Sequence, residues 1–434
     1  MVNKKWKMSS YNIGYEYKDG LALFNTKSQA LLMLNSEYKN KYIQICNDER
    51  PYPEDLAKEL ISGGMLVDAE LNEYESLQVN SRIARYSNRS LQLTIAPTLA
   101  CNFACPYCFE KNKGTQVMSN QTIRELISFV ENRSQGVRRL DVAWYGGEPL
   151  LQIDVIETVS SKLQEIIPPD CVYASSIITN GYFLTKQVVE ILQKSKVSMA
   201  QVTLDGSRKN HDSRRTLIDG SPTYDYILDN IANAADLIDI VIRANIDQDN
   251  VSEMKELLFN LKNRGLNKKV GIYLALTDDI DGDTCIDSCH CISARDFSDS
   301  EISFYEEAIR MGFAVNMFSG TARSICSAVS VNSFLIGPNG DICNCWDDIG
   351  VKDSVSGHVS KGFELTSNAV KWLGYLPDNE KCKTCNVFPL CMGGCPRVSL
   401  LNGELDCDTA RYNIQQKIRL MLLAHEIELG DADV

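Results

Sequence analysis

Three of the chain's 16 cysteines, Cys101, Cys105 and Cys108, form a C-x3-C-x2-C run in ACNFACPYCFE, directly after the apolar segment LQLTIAP. Thiolate is the metal-binding form of cysteine, and a structural zinc ion wants four ligands, commonly from two C-x2-C pairs. Three thiolates on one loop instead suit a [4Fe-4S] cube whose fourth iron stays open to a ligand. A second set lies near the carboxyl end. There Cys382, Cys385, Cys391 and Cys395 give C-x2-C-x5-C-x3-C with Cys407 beyond, and upstream Cys326 and Cys345 flank Gly340 in C-x13-G-x4-C. A zinc-ribbon-like module is the competing use of those thiols, because thiolate pairs suit zinc as well. Cys285, Cys289 and Cys291, in the acidic stretch DDIDGDTCIDSCHCISARD, match no cluster spacing and read as loop cysteines or an engaged thiol pair, with the supply of a missing cluster ligand as the alternative. Cys46 and Cys171 stand alone and read as small apolar core residues.

The elements that must position these residues follow from hydrophobic period. From Leu91 to about Leu276 short apolar strands (LQLTIAP, LDVAWYG, ASSIITN, MAQVTLDG, DIVIRANI, VGIYLAL) alternate with amphipathic helices, as at Ile123, Leu126, Ile127 and Val130. Six strand-and-helix units predict a parallel α/β array, and the loops at the carboxyl ends of its strands are where chemistry sits. Before it, Tyr11–Tyr17, Leu21–Asn25 and Ala30–Leu34 read as strands, followed by helical stretches and a Gly-Gly hairpin signal in SGGMLVD; the whole is a small α+β module. The polar helical segment AELNEYESLQVNSRIARYSNRS has apolar positions too sparse for a core helix and reads as a connector. The last ~110 residues hold short strands, eight cysteines and a closing helix, and need metal to hold them.

With these motifs in place the chain resembles the radical S-adenosylmethionine (SAM) enzymes, whose cluster loop has this spacing with an aromatic residue before the third cysteine. The resemblance implies a partial (β/α)6 TIM-like barrel over 91–312 in which Cys101, Cys105 and Cys108 hold the catalytic cluster and Tyr107 contacts the cofactor's adenine. WYGGEPLL matches the family's GGE motif at Gly146, Gly147 and Glu148, where glycine lets the backbone approach and bond the ligand's ammonium group. Taken alone, GGE reads equally as a plain strand-to-helix turn. ITNGYFLT would place Thr179 and Asn180 near the ribose or methionine part. In TLDGSRKNHDSRR, Arg215 would pair with the carboxylate, as suits a bidentate guanidinium, with Arg214 the neighbouring alternative; His211 reads as a hydrogen-bonded structural histidine.

The carboxyl-terminal spacing resembles the SPASM domain of radical SAM peptide-modifying enzymes, expected over 313–434 with two auxiliary [4Fe-4S] clusters, three clusters in all. By that resemblance Cys382, Cys385, Cys391 and Cys407 hold the distal cluster, and Cys326, Cys345 and Cys395 three irons of the proximal one. Asn332 stands where some relatives supply a fourth cysteine. Cys343 is a candidate, since residues two apart on a strand share a face; an iron left open to a substrate thiolate is the alternative. The amino-terminal module, 1–90 with its linker, resembles the winged-helix-like precursor-recognition domain of enzymes that mature ribosomal peptides. An extended leader would add to its edge around Ala30–Leu34. An ordinary packing domain that shields the barrel is the plain alternative.

Composition narrows the class. At 44% apolar and 23% charged residues the chain is globular, and a net charge of −13 argues against a phosphate-neutralising surface, hence against nucleic acid. No run approaches the ~18 apolar residues of a membrane span, and MVNKKWKMSS has no apolar segment behind its basic start, so a cytoplasmic location is expected. The reading is an oxidoreductase that acts on a precursor peptide through a 5′-deoxyadenosyl radical, closes a thioether or a C–C or C–O crosslink, and draws electrons from a flavodoxin or ferredoxin. The alternatives are an anaerobic sulfatase-maturating enzyme, which makes formylglycine, and a metal-stabilised peptide-binding or electron-transfer protein that never cleaves the cofactor.

Overall fold

The computed structural model describes residues 5–110, 114–277, 292–318, 326–403 and 405–430. The amino-terminal module contains β1 (Trp6–Met8), β2 (Asn12–Tyr17), β3 (Gly20–Asn25), β4 (Leu31–Leu34), α1 (Ser36–Cys46), α2 (Glu54–Ser62) and β5 (Leu66–Asp68). β2, β3 and β4 form an antiparallel sheet in that order. β3, the central strand, is buried along its whole length, because one face meets α1 and α2 and the other meets the carboxyl-terminal region. The Gly-Gly signal is not a hairpin. Gly63 caps α2, Gly64 turns with φ +69°, and β5 then pairs antiparallel with β1 far back in the chain. Cys46 is exposed rather than core: it ends α1, where Ile45 takes the inward position and the next residue turns out.

The connector is a helix, α3 (Glu73–Arg85), docked by polar side chains. Arg85, 2% exposed, donates to the carbonyls of Val329 (2.9 Å), Tyr375 (2.7 Å) and Leu373 (2.8 Å). Gln78 and Tyr74 both donate to Pro377 O at 2.8 Å. The helix is the one expected of the connector, but hydrophobic period does not show its dock, because Tyr74, Gln78 and Arg85 anchor it through polar groups.

The barrel strands are β6 (Ser90–Ile95), β7 (Arg139–Trp144), β8 (Val172–Thr179), β9 (Val197–Thr203), β10 (Asp239–Ile246) and β11 (Val270–Leu276). Their helices are α4 (Asn120–Arg133), α5 (Ile153–Ile166), α6 (Lys186–Lys194), α7 (Arg208–Arg214), α8 (Tyr224–Ala234), α9 (Met254–Asn263) and α10 (Ala294–Arg310). All six strands are parallel and lie side by side in chain order, so every crossover steps the same way and the sheet curls as a TIM-like barrel does. Among the described residues the arc stays open: β6 pairs on its far side with β12 (Ser333–Ile336), also parallel, while β11 pairs only with β10. Leu91, Leu93 and Ile95 pack under the helices, and the alternate residues Gln92 and Thr94, with Asp141, Ala143 and Ser176, line a cavity with about 790 Å³ of empty space.

Beyond β12 come β13 (Asp341–Cys343), β14 (Gly357–His358) and β15 (Gly362–Phe363), an antiparallel extension of the same sheet. Asn332 is structural; its side chain donates to Ser90 O (2.9 Å) and its carbonyl accepts from Gln92 N, pinning β12 to β6. The cysteine-rich segment adds α11 (Ser367–Gly374), α12 (Glu380–Lys383), α13 (Phe388–Cys391) and α14 (Pro396–Asn402) before α15 (Ala410–Leu429). α15 packs on α10, where buried Lys417 pairs with Glu301 at 3.1 Å.

Candidate functional site

The residues singled out in the barrel gather at the carboxyl ends of β6 to β9. The cysteine loop is held from two sides. Ala104 N donates to Thr216 O (3.0 Å) and Ile218 N to Asn102 O (3.0 Å), so the segment just after Arg215 runs beside it. On the other side Glu148 N donates to Ala100 O at 2.9 Å. This contact explains the glycines. A Cβ on Gly147 would lie 2.3 Å from Ala100 O, one on Gly146 2.4 Å from Thr98 O, and Gly146 has φ +111°. The glycines therefore serve the approach of one loop to another, and no ligand contact is needed to account for them.

Glu148 is fully buried and stitches β7 to β8. Its Oε1 accepts from Thr179 Oγ1 (2.7 Å) and Leu150 N (3.0 Å), and its Oε2 from Asn180 N (2.8 Å). Burial pushes its pKa up, and those three hydrogen bonds pull against it. Asn180 continues the line, donating to Asn102 Oδ1 at 2.8 Å in the cysteine loop. Thr179 is thus spent on Glu148, while Asn180 reaches the loop that carries the thiols.

Tyr107 and Arg215 meet each other: the guanidinium donates to the phenol oxygen at 2.6 Å, and the phenol hydrogen-bonds to Asp205. Arg214 lies over the Tyr107 ring at 4.9 Å and is neutralised by Asp247 (2.6 Å) and Asp205 (3.7 Å). Of the two arginines, then, Arg214 is committed to carboxylates, whereas Arg215 has no carboxylate partner among the described residues. Among the described residues its Nε, the Nδ2 of Asn102, and the Nε and one terminal nitrogen of Arg214 are buried donors without a hydrogen-bond acceptor, a set that fits an anionic or acceptor-rich ligand beside the cysteine loop. Asp205 and Asp247 were not singled out from sequence. The available signal was an acidic residue just past the end of a strand, in TLDG and NIDQ.

In the carboxyl-terminal region Cys382, Cys385, Cys391 and Cys407 line one pocket, with about 310 Å³ of empty space, together with Phe388 and Arg411. Burial pushes Cys391 up to about 11, so this thiol is protonated until a metal displaces the proton. Four soft thiolates in an apolar wall are the donor set an iron–sulfur cluster takes. Among the described residues no three His, Cys, Asp or Glu side chains converge as one bound ion requires.

Cys326 and Cys395 lie near each other, and both Cys345 and Cys395 feel the charge of Asp347. Cys343 does not join them. β13 ends at Cys343 and the chain turns at Cys345 into a short 3-10 turn, Trp346–Asp348, so the shared face expected of residues two apart is lost. Cys343 packs among Ala96, Leu99, Leu335 and Ile349, where burial pushes it up to about 12, while Cys345 packs beside Ala328, Val329 and Trp372. Cys171 is half-buried against the barrel core, and Cys285, Cys289 and Cys291 lie outside the described residues.

The singly wound parallel arc with three thiols on its first loop defines a class, and comparison with known proteins agrees: residues 95–275 match the model of the radical SAM superfamily. Over these residues the barrel is a radical SAM domain, and members of that superfamily use a [4Fe-4S] cluster and SAM. Among particular relatives, the radical SAM cyclopropyl synthase TigE of Paramaledivibacter caminithermalis is 26% identical over 204 residues, 41% of this chain and 40% of TigE. The serine-type anaerobic sulfatase-maturating enzyme of Bacteroides thetaiotaomicron is 26% identical over 151 residues, 33% of this chain and 36% of that protein. The chain thus spans less than half the length of these curated relatives. Among solved structures, anSMEcpe with bound AdoMet superposes with a TM-score of 0.65 at 17% identity, covering 78% of this chain and 100% of that one. SuiB of Streptococcus suis, bound to its precursor peptide SuiA, gives 0.54 at 18% identity, covering 90% and 95%. These likenesses establish the fold, a radical SAM barrel with a SPASM-like, cysteine-rich carboxyl-terminal extension. No helix among the described residues is long and apolar enough to cross a membrane.

Proposed function

We propose that this protein is a peptide maturase that installs an intramolecular crosslink in a ribosomally made precursor peptide. The observation that carries the reading is that the amino-terminal sheet is built directly onto the distal thiol pocket. Tyr11 packs with Cys382 and Phe388, Tyr74 lies 4.9 Å from the Phe388 ring, and Thr26 donates to Asn386 O. One edge of that sheet is occupied, since Gln415 of α15 donates to Gly14 O in β2 at 3.2 Å. The other edge, β4, pairs among the described residues only with β3 and is the place for an added leader strand. The SuiB structure holds a precursor peptide and matches a larger share of this chain than anSMEcpe does, which favours this reading over sulfatase maturation.

In the barrel, Cys101, Cys105 and Cys108 would hold the catalytic cluster, and Arg215, Asn180 and Asn102 would present donors to SAM. When bound, this pair supplies the electron and the sulfonium whose cleavage gives the 5′-deoxyadenosyl radical that takes a hydrogen from the peptide. The chain's own work is placement: Glu148 locks the loops that face the ligand, and Asp205 with Asp247 keeps Arg214 in place, leaving Arg215 for a carboxylate. Cys382, Cys385, Cys391 and Cys407 would hold one auxiliary cluster, and Cys326, Cys345 and Cys395 a second. With Cys343 turned into the apolar core, three thiols remain at the second site, which supports an open iron for a substrate thiolate and so a thioether product. A flavodoxin or ferredoxin would supply the first electron.

The test is anaerobic co-expression with a cysteine-containing candidate precursor peptide, alkylation of free thiols, and intact and fragment mass. Loss of two hydrogens with one fewer alkylatable cysteine is expected; loss of two hydrogens with all thiols free would mean a carbon or oxygen bond. A peptide left unmodified, with 5′-deoxyadenosine still released, would overturn the crosslinking reading in favour of the sulfatase-maturase one.

A further inference from the structure

The rings of Phe109, Tyr145 and Trp346 form a continuous stack between two cysteine loops. Phe109 directly follows Cys108, and Trp346 directly follows Cys345. Tyr145, just past the end of β7, lies between them: its ring is 6.3 Å from that of Phe109 with planes 13° apart, and 5.1 Å from that of Trp346 at 44°. Both separations are those of aromatic contact. Tyr145 is 9% exposed, packed with Ala96, Leu99, Leu335 and Ile349, so the middle of the stack is closed to water.

We propose that this stack is the conduit returning an electron from the cluster held at Cys326, Cys345 and Cys395 to the one held at Cys101, Cys105 and Cys108, so that one reducing equivalent serves successive turnovers. The inference rests on the function proposed above, in which both thiol sets carry clusters. The electrons balance. Of the two hydrogens the peptide loses, one is transferred as an atom to the deoxyadenosyl carbon, and the other leaves as a proton plus an electron that reduces the auxiliary cluster. Cleavage of the sulfonium consumes one electron from the catalytic cluster. Passing the stored electron across the rings restores that cluster, and the products are methionine, 5′-deoxyadenosine, the oxidised peptide and one proton, with no net external electron. Contacting π systems offer the delocalised overlap that saturated side chains lack, so the rings matter and the phenol hydroxyl does not.

The test uses the reconstituted full-length enzyme with excess SAM, the precursor peptide and a counted, limiting amount of dithionite. It reads 5′-deoxyadenosine per electron and, by rapid-freeze EPR, the lifetime of the reduced auxiliary signal. Wild type should give several molecules per electron. Tyr145→Leu and Trp346→Leu should fall to about one, with a longer-lived auxiliary signal, and excess dithionite should restore their product yield. Tyr145→Phe and Trp346→Phe should match wild type, which a role for the hydroxyl or indole N–H would not allow. Leu variants that keep full iron content and match wild type in both readouts overturn the proposal; should either lose iron, Phe109→Leu, at the exposed end of the stack, takes its place. A wild type that gives only one molecule per electron while showing auxiliary signals sinks the conduit and leaves the proposed function standing. Absence of auxiliary signals sinks both.

Discussion

His211 shows how one residue's surroundings settle its chemistry. The ring is fully buried; its Nδ1 accepts from Asp205 N–H at 3.3 Å, which leaves the proton on Nε2, facing Thr223 Oγ1 at 3.1 Å. Thr223 in turn donates to Arg215 O at 2.5 Å. A second proton would have to displace the Asp205 bond. Burial, and then the charges of Arg215 and Arg214, hold the imidazole pKa well below its ordinary value. The sign follows. An unfolded imidazole takes up a proton below about pH 6.5 and the folded one does not, so stability falls as pH drops below that value, by up to about 1.4 kcal/mol per pH unit. In chemical unfolding between pH 7 and 5, His211→Asn should be less stable at pH 7 and lose less on acidification; a parallel pair of curves would assign the acid sensitivity elsewhere. The histidine's structural character was legible in its motif. The Glu148 and Asp205 networks were not, because each joins loops that only the closed sheet brings together. The choice between Arg214 and Arg215 likewise depended on carboxylates contributed by β9 and β10, invisible in the local sequence.

At the scale of elements, α3 is the joint between the amino-terminal module and the cysteine-rich region. Arg85 donates to three backbone carbonyls; Leu373 O keeps a second donor in the Tyr86 hydroxyl, but Val329 O and Tyr375 O would lose their side-chain donor, and a buried unsatisfied group costs about 1–3 kcal/mol. Arg85→Met keeps the aliphatic stem and removes every donor. It should therefore destabilise the enzyme by at least about 2 kcal/mol in denaturant unfolding, and expose the segment around 373–377 to limited proteolysis before the barrel is cut. Arg85→Lys, which can reach one carbonyl but lacks the fork, should lie between. If the methionine variant unfolds and digests like wild type, the docking of α3 is not held by these bonds. The barrel strands were readable because each combines an apolar run with a following amphipathic helix, a local signal. β1 and β5 were not, since each has three residues and its partner lies some sixty positions away. The face of Cys343 was misread for a similar reason: spacing assigns a face only while the strand continues, and β13 stops there.

Across the whole molecule apolar burial is uneven. One large core runs under the barrel helices, whereas the groups around the auxiliary thiols, such as Tyr11, Leu77, Cys382 and Phe388, or Ala328, Val329 and Trp372, are small. With the clusters proposed above in place, a region with so little apolar core would draw its folding free energy from the bound metal, because the ligand geometry exists only when folded. The amino-terminal module leans on that same region, through Tyr74 on Phe388 and Phe24 stacked 5.2 Å from Phe318. Oxygen exposure followed by chelation should therefore lower the first melting transition and leave the barrel's later one nearly in place. Hydrogen exchange should rise together in 326–403 and in β2 and β3, whose inner faces would lose their support, while β7 to β10 stay protected. If iron removal leaves exchange in 326–403 unchanged, the auxiliary thiols do not hold the clusters assigned to them. Should β2 and β3 stay protected while 326–403 opens, the amino-terminal sheet folds alone, and leader binding at β4 would then survive in the iron-free protein.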